Sequence, residues 1–589
     1  MTVRRKTTHL VMAGALALLA GTVLLEACPG GSDGTFISPV ESVEVFPANM
    51  TVTCSPGEPA EVEFLARVTR KNGDVDETAL AAWETTNLAL GAIDEVGGYI
   101  STDQMGGITI IRASFLGVTG ETEMTVIYSA TEIDESLPEG VDELFTGDAD
   151  VGAEDAPTLL YPLDGVRIPR NTAGITFMWD AGPTANLYRL RFRSLVTHID
   201  VITDQVSWEA EESVWRAIAN GNAGSATTVE LAGLAYSMDG DTPVADSAVL
   251  EPEAPSTMHV SRLDASGSIY YWSTTNVGVY RIIFGNDHPE AFYGNNNYGH
   301  CVSCHVLSPD GTQMAVTYEG AQAKLGLVSV DDPANPDTTI IANEDEVLGN
   351  FKTFSPDGTK LLVSHSGKLA MIDAVAGEWM YDIVLDEQAT MPSWSPSGDR
   401  IAVVLVDPED FDYDYHFIEG QIALLYVDGD GNIDTEPDII VPREAGVNHY
   451  YPAFSPDGDW IAYNRSLNDA QDWESWDSYD DPSAQVRIIS SDGSVSFELP
   501  AANADGRLTN SWPGWAPLPD ADVAWLTFSS KRDYGFLNVL ENNRPQIWVA
   551  AFDLEVALSG NGEDPSSPPF WLPYQNVETN NHIAAWGQQ

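Results

Sequence analysis

Cysteine is scarce in this chain: four in 589 residues, at Cys28, Cys54, Cys301 and Cys304. So few exclude a disulfide-stapled scaffold. Positive charge is scarce as well, with 27 Lys and Arg against 89 Asp and Glu and a formal net charge of −62. Such a surface repels nucleic-acid phosphates and anionic head groups, so neither is an expected partner; it suits cation binding, a salty medium or plain solubility. Past the N-terminus no apolar run reaches the roughly 18 residues of a membrane span. Also missing are a G-x-S-x-G elbow, an H-E-x-x-H pair and a phosphate-cradling glycine loop, so hydrolase chemistry has no support. Hydrophobic residues are nonetheless 43% and aromatics 10%, enough to bury real cores.

The N-terminus has a basic start (Arg4, Arg5, Lys6), an apolar run from Leu10 to Leu25 and then "LLEAC". This is the shape of an export signal. Leu25, Ala27 and Cys28 resemble a bacterial lipobox, which implies a diacylglycerol on Cys28; Glu26 departs from that pattern. The expectation is a signal over 1–28, a flexible tether over 29–37, and a protein anchored by lipid on the periplasmic or cell-surface side of a bacterial membrane.

Residues 38–130 alternate apolar and polar positions between Gly, Asn and Asp turns, as in "AEVEFLARVT" and "ITIIRASF". With "AAWETTNLALGAID" and the closing "EMTVIY" they resemble a bacterial immunoglobulin-like domain, which implies Trp83 in a core. Residues 131–155 are acidic with Pro and Gly and read as a solvated linker. Residues 156–285, with Trp179, Tyr188 and Trp272 in alternating strands, resemble a fibronectin type III-like sandwich.

The rest is a repeat. "LSPDGTQMAV" begins at Leu307, "FSPDGTKLLV" at Phe354, "WSPSGDRIAV" at Trp394, "FSPDGDWIAY" at Phe454, and a degenerate "WAPLPDADVAWL" at Trp515. Pro fixes φ, Asp-Gly closes a hairpin and an apolar strand follows. Four-stranded units repeating every ~40 to 60 residues predict a β-propeller. The repeats resemble TolB-type, WD40-like propellers of the bacterial periplasm over residues 286–589, and "TNNHIAAWG" reads as the opening of a copy that closes a ring of roughly six. The expected fold is therefore all-β: two sandwiches, then a propeller.

One motif interrupts the repeat. Cys301, Cys304 and His305 spell C-x-x-C-H, in which two thiols bond the vinyl groups of one haem and the histidine gives an axial nitrogen. The alternatives are a structural or redox disulfide, or a metal site, for which two thiols are too few. The motif resembles the attachment site of cytochromes c, yet no helical pattern flanks it. Counting from the residue before each Ser-Pro or Ala-Pro, position minus three holds Cys304, Phe351, Met391, Tyr451 and Trp512, and minus two holds His305, Lys352, Pro392, Pro452 and Pro513. In a closed propeller these positions ring the central channel, which makes Met391 a candidate distal ligand; His449 and His582, just ahead of similar strands, are others.

Two further features stand out. Asp428, Asp430, Asn432 and Asp434 alternate oxygen donors in "VDGDGNIDTEPD", a candidate Ca²⁺ loop or a plain hairpin turn. The insertions "DPEDFDYDYHF" and "QDWESWDSYDD" offer a recognition or cation-binding surface, or solvated acidic loops. The functional expectation is a c-type haem protein of the cell envelope, serving electron transfer or redox sensing with an envelope redox partner. The alternative is a protein-binding propeller in which Cys301 and Cys304 are structural. Both describe an electron carrier or binder rather than an enzyme, with peroxidase-like chemistry at an open iron as a weaker third.

Overall fold

A computed structural model describes residues 38–588, apart from 79, 173, 287, 295–300, 320–323, 332–339, 342–347, 468–475, 505–508, 518–522 and 538–543. The export signal, the tether and Cys28 lie outside the described residues. The chain is nearly all β, and among the described residues no helix is long and apolar enough to cross a membrane.

Six four-stranded sheets make the propeller. Their innermost strands are Val302–Leu307, Phe351–Phe354, Gln388–Trp394, Val447–Phe454, Ser511–Trp515 and Asn581–Gly587, blades one to six in that order. Each inner strand neighbours the next, and the sixth neighbours the first, so the ring is closed. The second strands explain its packing. "QMAVTY", "KLLVSH" and "RIAVVLV" are buried on both faces, hence their unbroken apolar runs. Met314 and Val316 pack with Tyr270 and Val279 of blade six, while Ala315 between them packs with Leu361 and Val363 of blade two.

The Ser-Pro-Asp-Gly hairpins are built alike. Ser308 Oγ donates to the Asp310 carboxylate (2.6 Å) and accepts from the Gln313 N–H (2.9 Å), while Gly311 takes φ 72°. Ser355 repeats this with Asp357 and Lys360 (2.6 and 2.9 Å), and Ser455 with Asp457 and Trp460 (2.5 and 3.0 Å). The serine hydroxyls hold Asp310 and Asp357 below the usual carboxylate range.

Blade six corrects the expected boundary at 285. Ser268–Ser273 and Gly278–Ile283, expected to finish the fibronectin-like sandwich, join Glu290–Gly294 and the C-terminal Asn581–Gly587 in one sheet. Ser268 pairs with Gly587 and Trp272 with His582, so Trp272 is a propeller residue. The apolar faces of these strands cover blades one and five, and no sandwich sheet pairs with them.

The solvated linker is corrected too. Val118–Ile133 is one 16-residue strand whose end pairs in parallel with Thr197–Thr203, so the two N-terminal β regions share a sheet. Val141 and Phe145, on a short 3₁₀ turn, pack against Leu187 and Leu234, and Ala149–Val151 pairs with Val249–Glu251. A few apolar residues tie down a segment whose acidity suggests solvent. Trp179 and Tyr188 are core residues, and the half-buried Trp83 packs on Phe64. The second region seats on blade five: Tyr161 accepts from the Trp571 N–H (3.0 Å), and Arg167 pairs with Asp553 (3.0 Å).

Candidate functional site

The inner strands do not run straight. In blade three two residues, Met391 and Pro392, stand opposite one on the next strand; Tyr451–Pro452, Trp512–Pro513 and Ile583–Ala584 do the same in blades four to six. These are β-bulges. The first residue of each takes a left-handed φ: 52° at Met391, 51° at Tyr451, 50° at Trp512 and 52° at Ile583. A non-glycine residue there carries strain of ~1 kcal/mol or more. Four repeats of it at one register position mean that the side chain is needed where the bulge aims it. In blade one the bulge falls a residue earlier, at Ser303–Cys304, and in blade two the pairing is regular.

All six inner strands line one central cavity of about 280 Å³. The repeat register anticipates its walls. Position minus three contributes Cys304, Phe351, Met391, Tyr451, Trp512 and Ile583; position minus two contributes His305, Lys352, Pro392, Pro452, Pro513 and Ala584. Tyr451 stacks on Trp512 at 4.5 Å and tilts against Phe351 at 5.8 Å, so one end of the channel is a collar of rings around Cys304.

Cys301 and Cys304 carry free thiols, each partly buried. Burial pushes both thiols up; Glu319 adds to this at Cys301, and Lys352 offsets it in part at Cys304. His305 is 5% exposed, and its Nε2 lies 3.2 Å from the Tyr270 carbonyl of blade six. Its Nδ1 is buried without a hydrogen-bond partner. Burial lowers the ring's pKa to about 4, so the imidazole is uncharged at neutral pH.

Of the candidate distal ligands, Met391 lines the cavity, with Sδ 3.2 Å from the Tyr451 backbone N–H that it accepts. His582 stands one residue ahead of the cavity-lining Ile583 and does not itself line the cavity; it is buried edge-on to Trp512 and Tyr479 at 6.0 Å each, with a partnerless Nδ1 and a pKa drawn down to about 3 by burial. His449 does not line the cavity; its Nδ1 is engaged with the Gly420 carbonyl at 2.9 Å.

Parts of both acidic insertions fold inward, while Asp412, Tyr413 and Tyr415 of the first remain exposed. Asp414, 1% exposed, accepts from the Ser366 and Gly367 N–H groups (2.8 and 3.0 Å) and from Asn350 (2.8 Å). Tyr479 stacks on Trp512 at 5.9 Å, and Trp476 lies on His416 at 5.1 Å. Residues 471–475 of the second insertion lie outside the described residues. Among the described residues no group of three or more His, Cys, Asp or Glu stands ready for a metal.

The calcium reading meets a turn. Asp428 Oδ1 accepts from the Asp430 and Asn432 N–H groups (2.9 Å each), its Oδ2 accepts from the Asn432 amide (2.9 Å), and Asp434 accepts from Glu436 (3.0 Å). These bonds make the segment a hairpin turn, and among the described residues no group of three or more His, Cys, Asp or Glu gathers there.

Lys352 was legible only as a register position. Its type carries no motif, yet it shares His305's level in the channel and is 8% exposed.

No protein-family model and no curated protein matches the chain. Solved structures do. TolB from Acinetobacter baumannii is 13% identical over 62% of this chain and 80% of its own, with a TM-score of 0.35. A TolB-type protein from Agrobacterium tumefaciens is 15% identical over 55% and 99%, with a TM-score of 0.32. Hydrazine synthase from Kuenenia stuttgartiensis is 15% identical over 49% and 75%, also at 0.32. The likeness is one of fold, and the six sheets carry that conclusion by themselves.

Proposed function

We propose that this chain is an exported, lipid-anchored propeller protein that carries a c-type haem at the end of its central channel. Its role is electron transfer or redox sensing at the cell envelope, with an envelope redox protein as partner. The observation behind this reading is the state of His305. One ring nitrogen is held by a backbone carbonyl, the other is buried and bare, and the ring is neutral at physiological pH. Metal-ligating histidines are held in this way. Beside it stand two free thiols at C-x-x-C-H spacing.

Cys301 and Cys304 would hold the haem through thioethers, and His305 would give a nitrogen to its iron; the group would supply a one-electron couple. The Tyr270 carbonyl fixes the imidazole's orientation and raises its basicity. A cavity of about 280 Å³ falls just short of the ~300–1,000 Å³ of ordinary ligand pockets. That favours a macrocycle held at the mouth, near the partly exposed Cys301. Met391 and His582 remain the distal candidates, and His449 leaves the set.

A protein-binding propeller with structural cysteines is favoured by one observation: the motif lies on a strand. Successive side chains of a strand point to opposite faces, so Cys304 and His305 share a face only through the local bulge.

The test is to express the mature chain with cytochrome c maturation and stain a denaturing gel for haem. A stained band, lost in Cys301→Ala with Cys304→Ala, supports the proposal, and the reduced spectrum reports the sixth ligand. A colourless band from the wild type sinks it and leaves the binding reading.

A further inference from the structure

Lys352 is a buried ammonium in an acidic protein, and among the described residues no carboxylate is paired with it. Its Nζ donates to Thr317 Oγ1 (2.5 Å) and to the Asn350 carbonyl (3.1 Å), both uncharged. Among the described residues no carboxylate pairs with it, and none of the described residues lining the channel is Asp or Glu, although the chain has 89 of them. Three of the six residues at its level are prolines, which bring no N–H, and Ala584 brings no side-chain polar atom. His305 is the only other ionisable group of that ring.

A buried charge without its counter-charge costs several kcal/mol, and removing one member of a buried pair is strongly destabilising. Burial accordingly draws Lys352 down to about 8, with Cys304 the only group acting the other way. At neutral pH the ammonium is still mostly charged. The carboxylates outside are screened over a Debye length of roughly 8 Å, whereas a charge buried among protein atoms is screened less.

We propose that the central channel is an anion site, in which a carboxylate or small oxyanion lies against the Lys352 ammonium. A cavity of about 280 Å³ admits an anion of a few heavy atoms. The same carboxylate chemistry could come from a free acid or from a propionate of a haem attached at Cys304. The site itself needs no haem.

Nitrate and acetate are the probes, titrated calorimetrically into the mature chain at constant ionic strength, once produced without haem and once after cytochrome c maturation. The wild type should bind; Lys352→Met should bind at least about tenfold more weakly, since a hydrogen bond to a charged group is worth that much; Lys352→Arg should recover most of it. The Lys352→Met chain without anion should melt at or above the wild-type temperature, because an uncompensated charge is gone. Binding in both preparations identifies a free anion, and binding only without haem identifies the propionate; either outcome supports the site. No binding in the haem-free chain, or equal binding by Lys352→Met, overturns it. So does a lower melting temperature for Lys352→Met, which would make Lys352 a brace for Thr317 and Asn350. A failed haem stain leaves the haem-free arm intact, so the two proposals fall separately.

Discussion

Tyr270 and His305 meet across the seam where the ring closes: the carbonyl of one, in blade six, lies 3.2 Å from Nε2 of the other, in blade one. The contact holds a neutral ring in a dry place, and acid should undo it. Burial brings the pKa of His305 and His449 to about 4 and that of His582 to about 3, from an ordinary 6.5. The unfolded chain takes up those protons first. The stabilisation is therefore complete above pH ~6.5 and lost as pH falls towards 4, up to ~3 kcal/mol per ring. Urea midpoints at pH 7.5, 6 and 4.5 should fall in that order, and His582→Phe should flatten part of the fall. An unchanged slope in that variant contradicts the assignment.

Asp477 should act with the opposite sign. It is 5% exposed, accepts from the Asp480 N–H (3.1 Å), and is raised to about 7 by burial. The folded state holds its proton more tightly, so its contribution is present below pH ~4 and declines as pH rises through 7. Asp477→Asn keeps the acceptor oxygen without the charge. We expect it to stabilise the protein at pH 8 and to change little at pH 5, as read by thermal melts at both.

The left-handed residues make a subtler test. Ile583 is β-branched at φ 52°, where blade three uses the unbranched Met391. Ile583→Met keeps the volume and relieves the branch, and should gain ~0.5 to 1 kcal/mol in urea unfolding. A loss of that size would mean that the isoleucine's shape matters more to the collar than its backbone strain does.

A chain ending at residue 580 lacks the strand that pairs with Ser268–Ser273 and the Trp586 ring stacked on Phe284 at 5.0 Å. It leaves an open sheet edge. We expect loss of cooperative unfolding and self-association by light scattering, restored when a peptide of residues 581–589 is added.

The propeller was legible because Ser, Pro, Asp and Gly each have a fixed task in the hairpin, so the motif recurs wherever the hairpin does. Counting from it puts Met391, Tyr451 and Trp512 at one register position, and all three line the channel. Of blade six only the closing strand was legible, in "TNNHIAAWG"; its outer hairpin turns on "TTNVG" and carries no Ser-Pro motif. The segment around Val141 and Phe145 reads as solvated because its acidic residues outnumber the two apolar side chains that tie it down. The bulges, which aim the collar, left only the weak trace of a residue before proline in "MP", "YP" and "WP".

The pairing of Trp272 with His582 sets a timetable as well as a shape. Contacts between residues so far apart form late, because the intervening chain must be ordered first. A chain delivered N-terminus first would hold three strands of its sixth blade ready while the other five blades assemble, and would wait for its final residues to close them. Until then the barest edge of the molecule is a strand made half a protein earlier, the place where a chaperone or a neighbouring copy would find it.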